Sequence, residues 1–288
     1  MSVARFQITL AVVSLALFSL SSQIHARTTG PHPQIPANKL SAHRAGLFSY
    51  ERDQLTSEEL LRLHSSRETP GSSGIFSFDD GSDKTGRLIQ SGECKAFPET
   101  SSWPSQSAWN ELGNAIGSSL IPTTPLAAPC FKIWSVYNAE KCKAIQSSFS
   151  NPYTHEDDPT STMWPLYQGR TCLPLVGGNA TCTLGGSPSY AVNVSSVKHI
   201  QLAVNFARNT NLRLVVKNTG HCYLGKSTGA GALSVWTHNL KDIEYLPQYE
   251  DGSYAGPAMK LGAGVTVREV YDAAAHHNVT ALGGICEV

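Results

Sequence analysis

From residue 184 onward the chain switches repeatedly between two hydrophobic periods. Tyr190-Ala-Val-Asn-Val194 alternates as a strand does, and Val197, Ile200, Val204 and Ala207 then recur at helical spacing behind Ser195, a capping residue. Leu212 to Val216 predicts a second strand, Ala232 to Trp236 and Met259 to Leu261 two more, and Val279 to Leu282 a last one. Between the last two, Thr266-Val-Arg-Glu269 is a capping box opening a helix that carries Val267, Val270, Tyr271 and Ala274. Residues 184–288 therefore predict an α+β unit. Upstream the periodicity is weaker, with helices expected over Ser57 to His64, Ser107 to Ile116 and Ala139 to Phe149. Residues 91–183 form a lead-in punctuated by Cys, Pro and Trp, and 27–90 a loosely packed extension rich in Ser, Gly, Pro and His.

The first 26 residues predict the compartment. Arg5 precedes an apolar run from Ile8 to Leu20, and Ile24-His25-Ala26 ends in a small residue, the plan of a secretory signal peptide cleaved after Ala26. The run of 13 residues is short for a membrane span, which needs roughly 20. The expected product is exported, with no membrane partner. Asn179-Ala-Thr181, Asn193-Val-Ser195 and Asn278-Val-Thr280 are N-glycosylation acceptors. Seven cysteines, at 94, 130, 142, 172, 182, 222 and 286, show no zinc spacing, so no metal is expected; the first five are read as the source of disulfides. Twenty-two basic residues balance 22 acidic ones, which leaves no net field to draw the chain to nucleic acid.

The stretch Gly220-His-Cys-Tyr-Leu-Gly-Lys226-Ser227 fits G-x-x-x-x-G-K-S, the loop that cradles the phosphates of a nucleoside triphosphate. That loop must open a helix, whose amides and dipole hold the anion. Here Thr228-Gly-Ala-Gly231 follows and then a strand, so a triphosphate binder is a distant alternative. Glycines at 220, 225, 229 and 231 still allow close backbone approach to a ligand, and consecutive amides suit a pyrophosphate. A glycine-rich connection with Lys226 solvated stands beside that reading.

Val215 to Glu244, with Asn218-Thr-Gly-His221 and Trp236-Thr-His238, resembles the secreted berberine-bridge-enzyme-like oxidases, of the vanillyl-alcohol oxidase and p-cresol methylhydroxylase type of FAD-linked oxidoreductase. Gly256 to Gly264 and Gly283-Gly-Ile-Cys286 carry the same resemblance. It extends upstream through Cys94, Phe97-Pro98, Trp103-Pro104, Pro125-Leu126, Cys130 and Cys142. The resemblance implies the N-terminal half of a PCMH-type FAD-binding domain. It implies His221 bonded to the flavin 8α carbon and Cys286 bonded to C6, with Lys217, Asn218, Thr219, Gly220, Cys222, Gly225, Lys226 and Ser227 around the pyrophosphate. A neutral imidazole and a thiolate are the nucleophiles that such bonds need. A small-molecule substrate and O2 are the implied partners, and His238 and Lys241 match the family in structural roles.

Each linking residue has a plainer reading, His221 as an ordinary loop histidine and Cys286 as a buried thiol. The chain departs from the family by having Cys222 where aspartate or serine commonly follows the linking histidine. Ala96 and Ser102 stand where the family often has cysteines, as though one disulfide had gone as a pair. After Cys286 the family continues into a Pro-Thr and Gly-rich segment and a substrate domain, where its catalytic base is expected; here Glu287-Val288 follow. The resemblance thus implies a shortened member with an open sheet edge near residue 283, and a non-catalytic remnant without flavin is the alternative function.

Overall fold

The computed structural model describes residues 45–65, 74–78, 94–174, 181–252, 254–285 and 287, all within the unit His43–Val288. The signal-peptide segment, the acceptor Asn179 and Cys286 lie outside the described residues. The central sheet is built from β1 (Leu120–Pro122), β2 (Tyr190–Asn193), β3 (Arg213–Lys217) and β4 (Ala232–Trp236) in the order β1-β2-β4-β3. β2, β4 and β3 run parallel, and β1 joins β2 antiparallel with Leu120 opposite Val192. Strand β4 is buried at all five positions, as its nearly unbroken apolar run requires in the middle of a sheet covered on both faces. Edge strand β3 keeps the two-residue alternation: Leu214 and Val216 are exposed, Val215 and Lys217 buried.

Two helices face the sheet. α3 (Gln106–Ile116), capped by the Ser105 side chain on Ala108 N, buries Trp109, Leu112 and Ile116 on one stripe. It meets Leu202, Ala203 and Phe206 of α6 (Val197–Asn209), the crossover from β2 to β3. Trp109 stacks on Tyr190 at 3.8 Å and lies 5.0 Å from the Phe206 ring. The cap of α6 is Ser196, whose hydroxyl accepts from His199 N, and not Ser195 as the sequence pattern predicts; Ser195 lies exposed one residue before it. Residues 45–65 also differ from expectation. α1 (Ser49–Arg52) and α2 (Ser57–Ser65) do not hang loose: Leu55 N donates to Gln201, and the Lys198 amine pairs with Asp53 at 2.9 Å and Glu59 at 3.4 Å on α6.

Three further expectations are corrected. β5 (Ile243–Asp251) and β6 (Tyr254–Leu261) form an antiparallel pair of which the pattern revealed only 259–261. Pro247 and a register shift between Leu246 and Tyr249 break the alternation that would have marked β5. Residues 279–282 are not a strand: α7 (Val267–His276) ends in Asn278 at φ 54°, Val279 N bonds back to Ala274 O, and Leu282 lies 98% exposed with no strand beside it among the described residues. The anticipated edge near 283 is therefore absent from the described sheet. Disulfides join Cys130 to Cys142 and Cys172 to Cys182, while Cys94 is free and exposed, so four of the first five cysteines are paired. Among the described residues no helix is long and apolar enough to cross a membrane, and no His, Cys, Asp or Glu cluster could hold a metal.

Candidate functional site

Because β3 and β4 are parallel neighbours, the chain must travel the whole length of the sheet between them. It does so over residues 218–231 in turns, without a helix after Lys226, which removes the triphosphate-loop alternative. Gly220 and Gly225 take φ values of 87° and 65°. The space beside both is filled by the protein itself, not kept open for a ligand as the glycine pattern had been read. A Cβ on Gly220 would lie 3.0 Å from Ser161 O, and one on Gly225 2.4 Å from the Tyr167 ring. The segment that follows α5 (Pro152–Glu156) thus moulds the loop: Met163 N donates to Gly220 O, the Tyr167 hydroxyl donates to Tyr223 O, and Trp164 packs on Tyr223 at 5.3 Å.

Within the loop, the backbone N–H groups of Lys226 and Leu224 hold the Cys222 thiol below its ordinary pKa. The hydroxyl of Ser227 is buried and has no partner, although Thr228 beside it donates to Gly186 O. His221 and Lys226 are exposed on the same loop, and Thr219 is buried under it. An orphaned hydroxyl, an exposed amine and an accessible imidazole on one loop fit a ligand carrying a diphosphate.

Lys217, the last residue of β3, stands at the foot of the loop with its side chain packed against Gly220. Its amine is buried and donates to the carbonyls of His155 (3.0 Å), Glu156 (3.2 Å) and Asn218 (3.3 Å), 5.6 Å from the Trp236 ring. Burial pushes its pKa down to about 8. Next to it, burial raises the Glu156 carboxyl, whose Oε1 has no partner, and lowers the His238 imidazole. Asn218 is held from two sides, by His238 Nδ1 at 3.0 Å and by donation to Ala263 O at 3.0 Å. At the other end of the unit, Glu287 is tied to Tyr153 of α5 and Arg268 of α7, so the residue after Cys286 is anchored beside α5, the helix whose last carbonyls receive Lys217.

The sequence reading missed Tyr167, Trp164, Ser161 and Glu156. They lie in the stretch taken as lead-in, and their one signal was the run His155-Glu-Asp-Asp158, charged yet flanked by Pro and aromatic residues.

Parallel strands joined by a loop that carries an accessible imidazole, an exposed amine and an orphaned hydroxyl suit a nucleotide cofactor, and the comparisons say which. Residues 188–285 match the FAD binding domain family. The chain is 40% identical over 198 residues to the bifunctional decalin synthase calF of Penicillium decumbens, covering 68% of this chain and 34% of that protein. It is also 40% identical over 195 residues to the VAO-type flavoprotein oxidase VAO615 of Thermothelomyces thermophilus, covering 67% and 34%. The crystal structure of the VAO-type flavoprotein MtVAO615 from Myceliophthora thermophila superposes with a TM-score of 0.65 at 40% identity, over 68% of this chain and 36% of that one. The chain belongs to the VAO-type, FAD-linked oxidoreductases, and it spans about a third of the length of the curated relatives it matches.

Proposed function

We propose that the chain holds FAD covalently, through His221 to the 8α carbon and Cys286 to C6, in an exported oxidase acting on a small organic molecule. The observation that carries this reading is the 218–231 loop: an exposed imidazole and an exposed amine share a turn with the orphaned, buried Ser227 hydroxyl. Lys226 and the Ser227 hydroxyl would receive the diphosphate, and Tyr167 under Gly225 would keep the turn in shape. Bound flavin supplies hydride acceptance from a substrate carbon and reoxidation by O2. His221 contributes a ring nitrogen as the attaching nucleophile. Its exposure leaves that nitrogen within reach of a ligand at the surface of the loop.

Export is supported by Arg5 and the Ile8 to Leu20 apolar run, and by the two disulfides. Among the acceptors, Asn278 and Thr280 are exposed, so a glycan there meets no packing. The test is to express the chain with its leader, purify it from the medium, and titrate flavin-free protein with FAD, following the quenching of flavin fluorescence. Saturable uptake that weakens when Ser227 and Lys226 are replaced by alanine supports the reading; no uptake, or uptake indifferent to both, refutes it.

A further inference from the structure

Three separate segments meet at one side chain, Asn218, three residues before His221. Its Nδ2 donates to Ala263 O at 3.0 Å, which turns Oδ1 toward His238 Nδ1, also at 3.0 Å. An amide oxygen can only accept, so Nδ1 of His238 carries the proton, and Nε2 presents a lone pair when the ring is neutral. That Nε2 faces Glu156 Oε2 at 3.9 Å and Asp157 Oδ1 at 3.8 Å, with Trp236 stacked on the ring at 6.3 Å. The 262–264 turn lies backbone against backbone on residues 237–240, since a Cβ on Gly264 would come within 2.2 Å of His238 O, and Lys241 fastens it by donating to Gly264 O. Thr237 N donates to Lys217 O, which closes the ring of contacts on the strand that leads into the loop.

We propose that His238 is a positioning residue: by donating from Nδ1 to Asn218 it fixes the 218–221 turn in the shape that presents His221 to flavin. This rests on the reading that the loop holds FAD. His238 is buried and sits behind Asn218, so it acts through the amide and not on the cofactor. Donation from Nδ1 persists whether Nε2 is protonated or not, so the clamp is independent of pH. Its removal would leave the Asn218 oxygen without its donor and the turn free to rotate, a loss that corresponds to about tenfold in an equilibrium between held and released loop.

The test uses the full chain and two readouts. The first needs no flavin: the rate at which trypsin cuts the folded chain after Lys226, which is exposed on the loop. The second is FAD affinity by titration. His238→Ala is expected to speed cleavage and weaken FAD binding by about tenfold. His238→Asn, whose amide N–H replaces Nδ1–H, is expected to restore both nearly to the wild-type values. Asn218→Ala is expected to reproduce His238→Ala, with the double variant no worse than either alone. Equal behaviour of His238→Ala and His238→Asn, additive single effects, or faster cleavage with unchanged FAD affinity would overturn the positioning role. Failure of the wild-type chain to take up FAD, with the cleavage pattern as expected, would instead overturn the reading of the loop.

Discussion

At Gly225 a single hydrogen atom decides the shape of the loop. The residue has φ 65°, and the Tyr167 ring occupies the place of a Cβ at 2.4 Å. Gly225→Ala is expected to cost about 1–3 kcal/mol in denaturant unfolding, from left-handed backbone strain and overpacking together. Adding Tyr167→Ala should return part of that loss; no recovery would mean that the ring is not the obstacle. The buried histidines make a second prediction. Burial lowers the pKa of His155, His199 and His238, so the unfolded chain takes up protons before the folded one does. Their contribution is present above the ordinary histidine pKa of about 6.5 and is lost as the pH falls through it. Glu156, raised by burial, works in the opposite sense, its cost growing as pH rises through the glutamate range. Asp158, also raised by burial, acts with Glu156; with three histidines against two carboxyls, the melting temperature is expected to fall between pH 7 and 5, and a flat profile over that interval would contradict the assignment.

At the level of elements, what could be read beforehand followed from how local each signal is. Helices α3, α4 (Ala139–Ser148) and α6 and strand β4 carry their own evidence in caps and apolar spacing, so they came out within a residue or two. Strand β1 could not: three residues ending in Pro122 become a strand only because β2 lies alongside. The reverse held for Val279–Leu282, an apolar run with a strand's composition but no pairing partner among the described residues. FAD was implied by the family resemblance of Val215 to Glu244, whereas the glycine spacing of 218–231 alone left a plain connection equally open. The loop's support from Tyr167, Ser161 and Glu156 was not legible, because such contacts join positions more than fifty residues apart in the chain. The α3–α6 contact allows a stability test. Phe206 is fully buried between Phe76 and Trp109, and Phe206→Ala is expected to cost about 3–5 kcal/mol in chemical denaturation. A loss under about 1 kcal/mol would show that the two helices do not share the core described.

Across the whole molecule, the sheet, the α5 segment and the 262–264 turn converge on one short stretch, Asn218 to His221, and α5 also receives the residue that follows Cys286. That convergence surrounds the proposed point of flavin attachment, in a chain that spans about a third of the length of its relatives. Trypsin sites at Lys217, Lys226 and Arg268 put His221 in the peptide 218–226 and Cys286 in a different one, 269–288. The most direct measurement is therefore mass spectrometry of the acid-precipitated, trypsin-digested protein. Peptides 218–226 and 269–288 are expected to appear joined through one FAD on His221 and Cys286, and His221→Ala is expected to leave peptide 218–226 free of flavin. A colourless precipitate with peptide 218–226 at its unmodified mass, or flavin retained on that peptide after His221→Ala, would contradict the account.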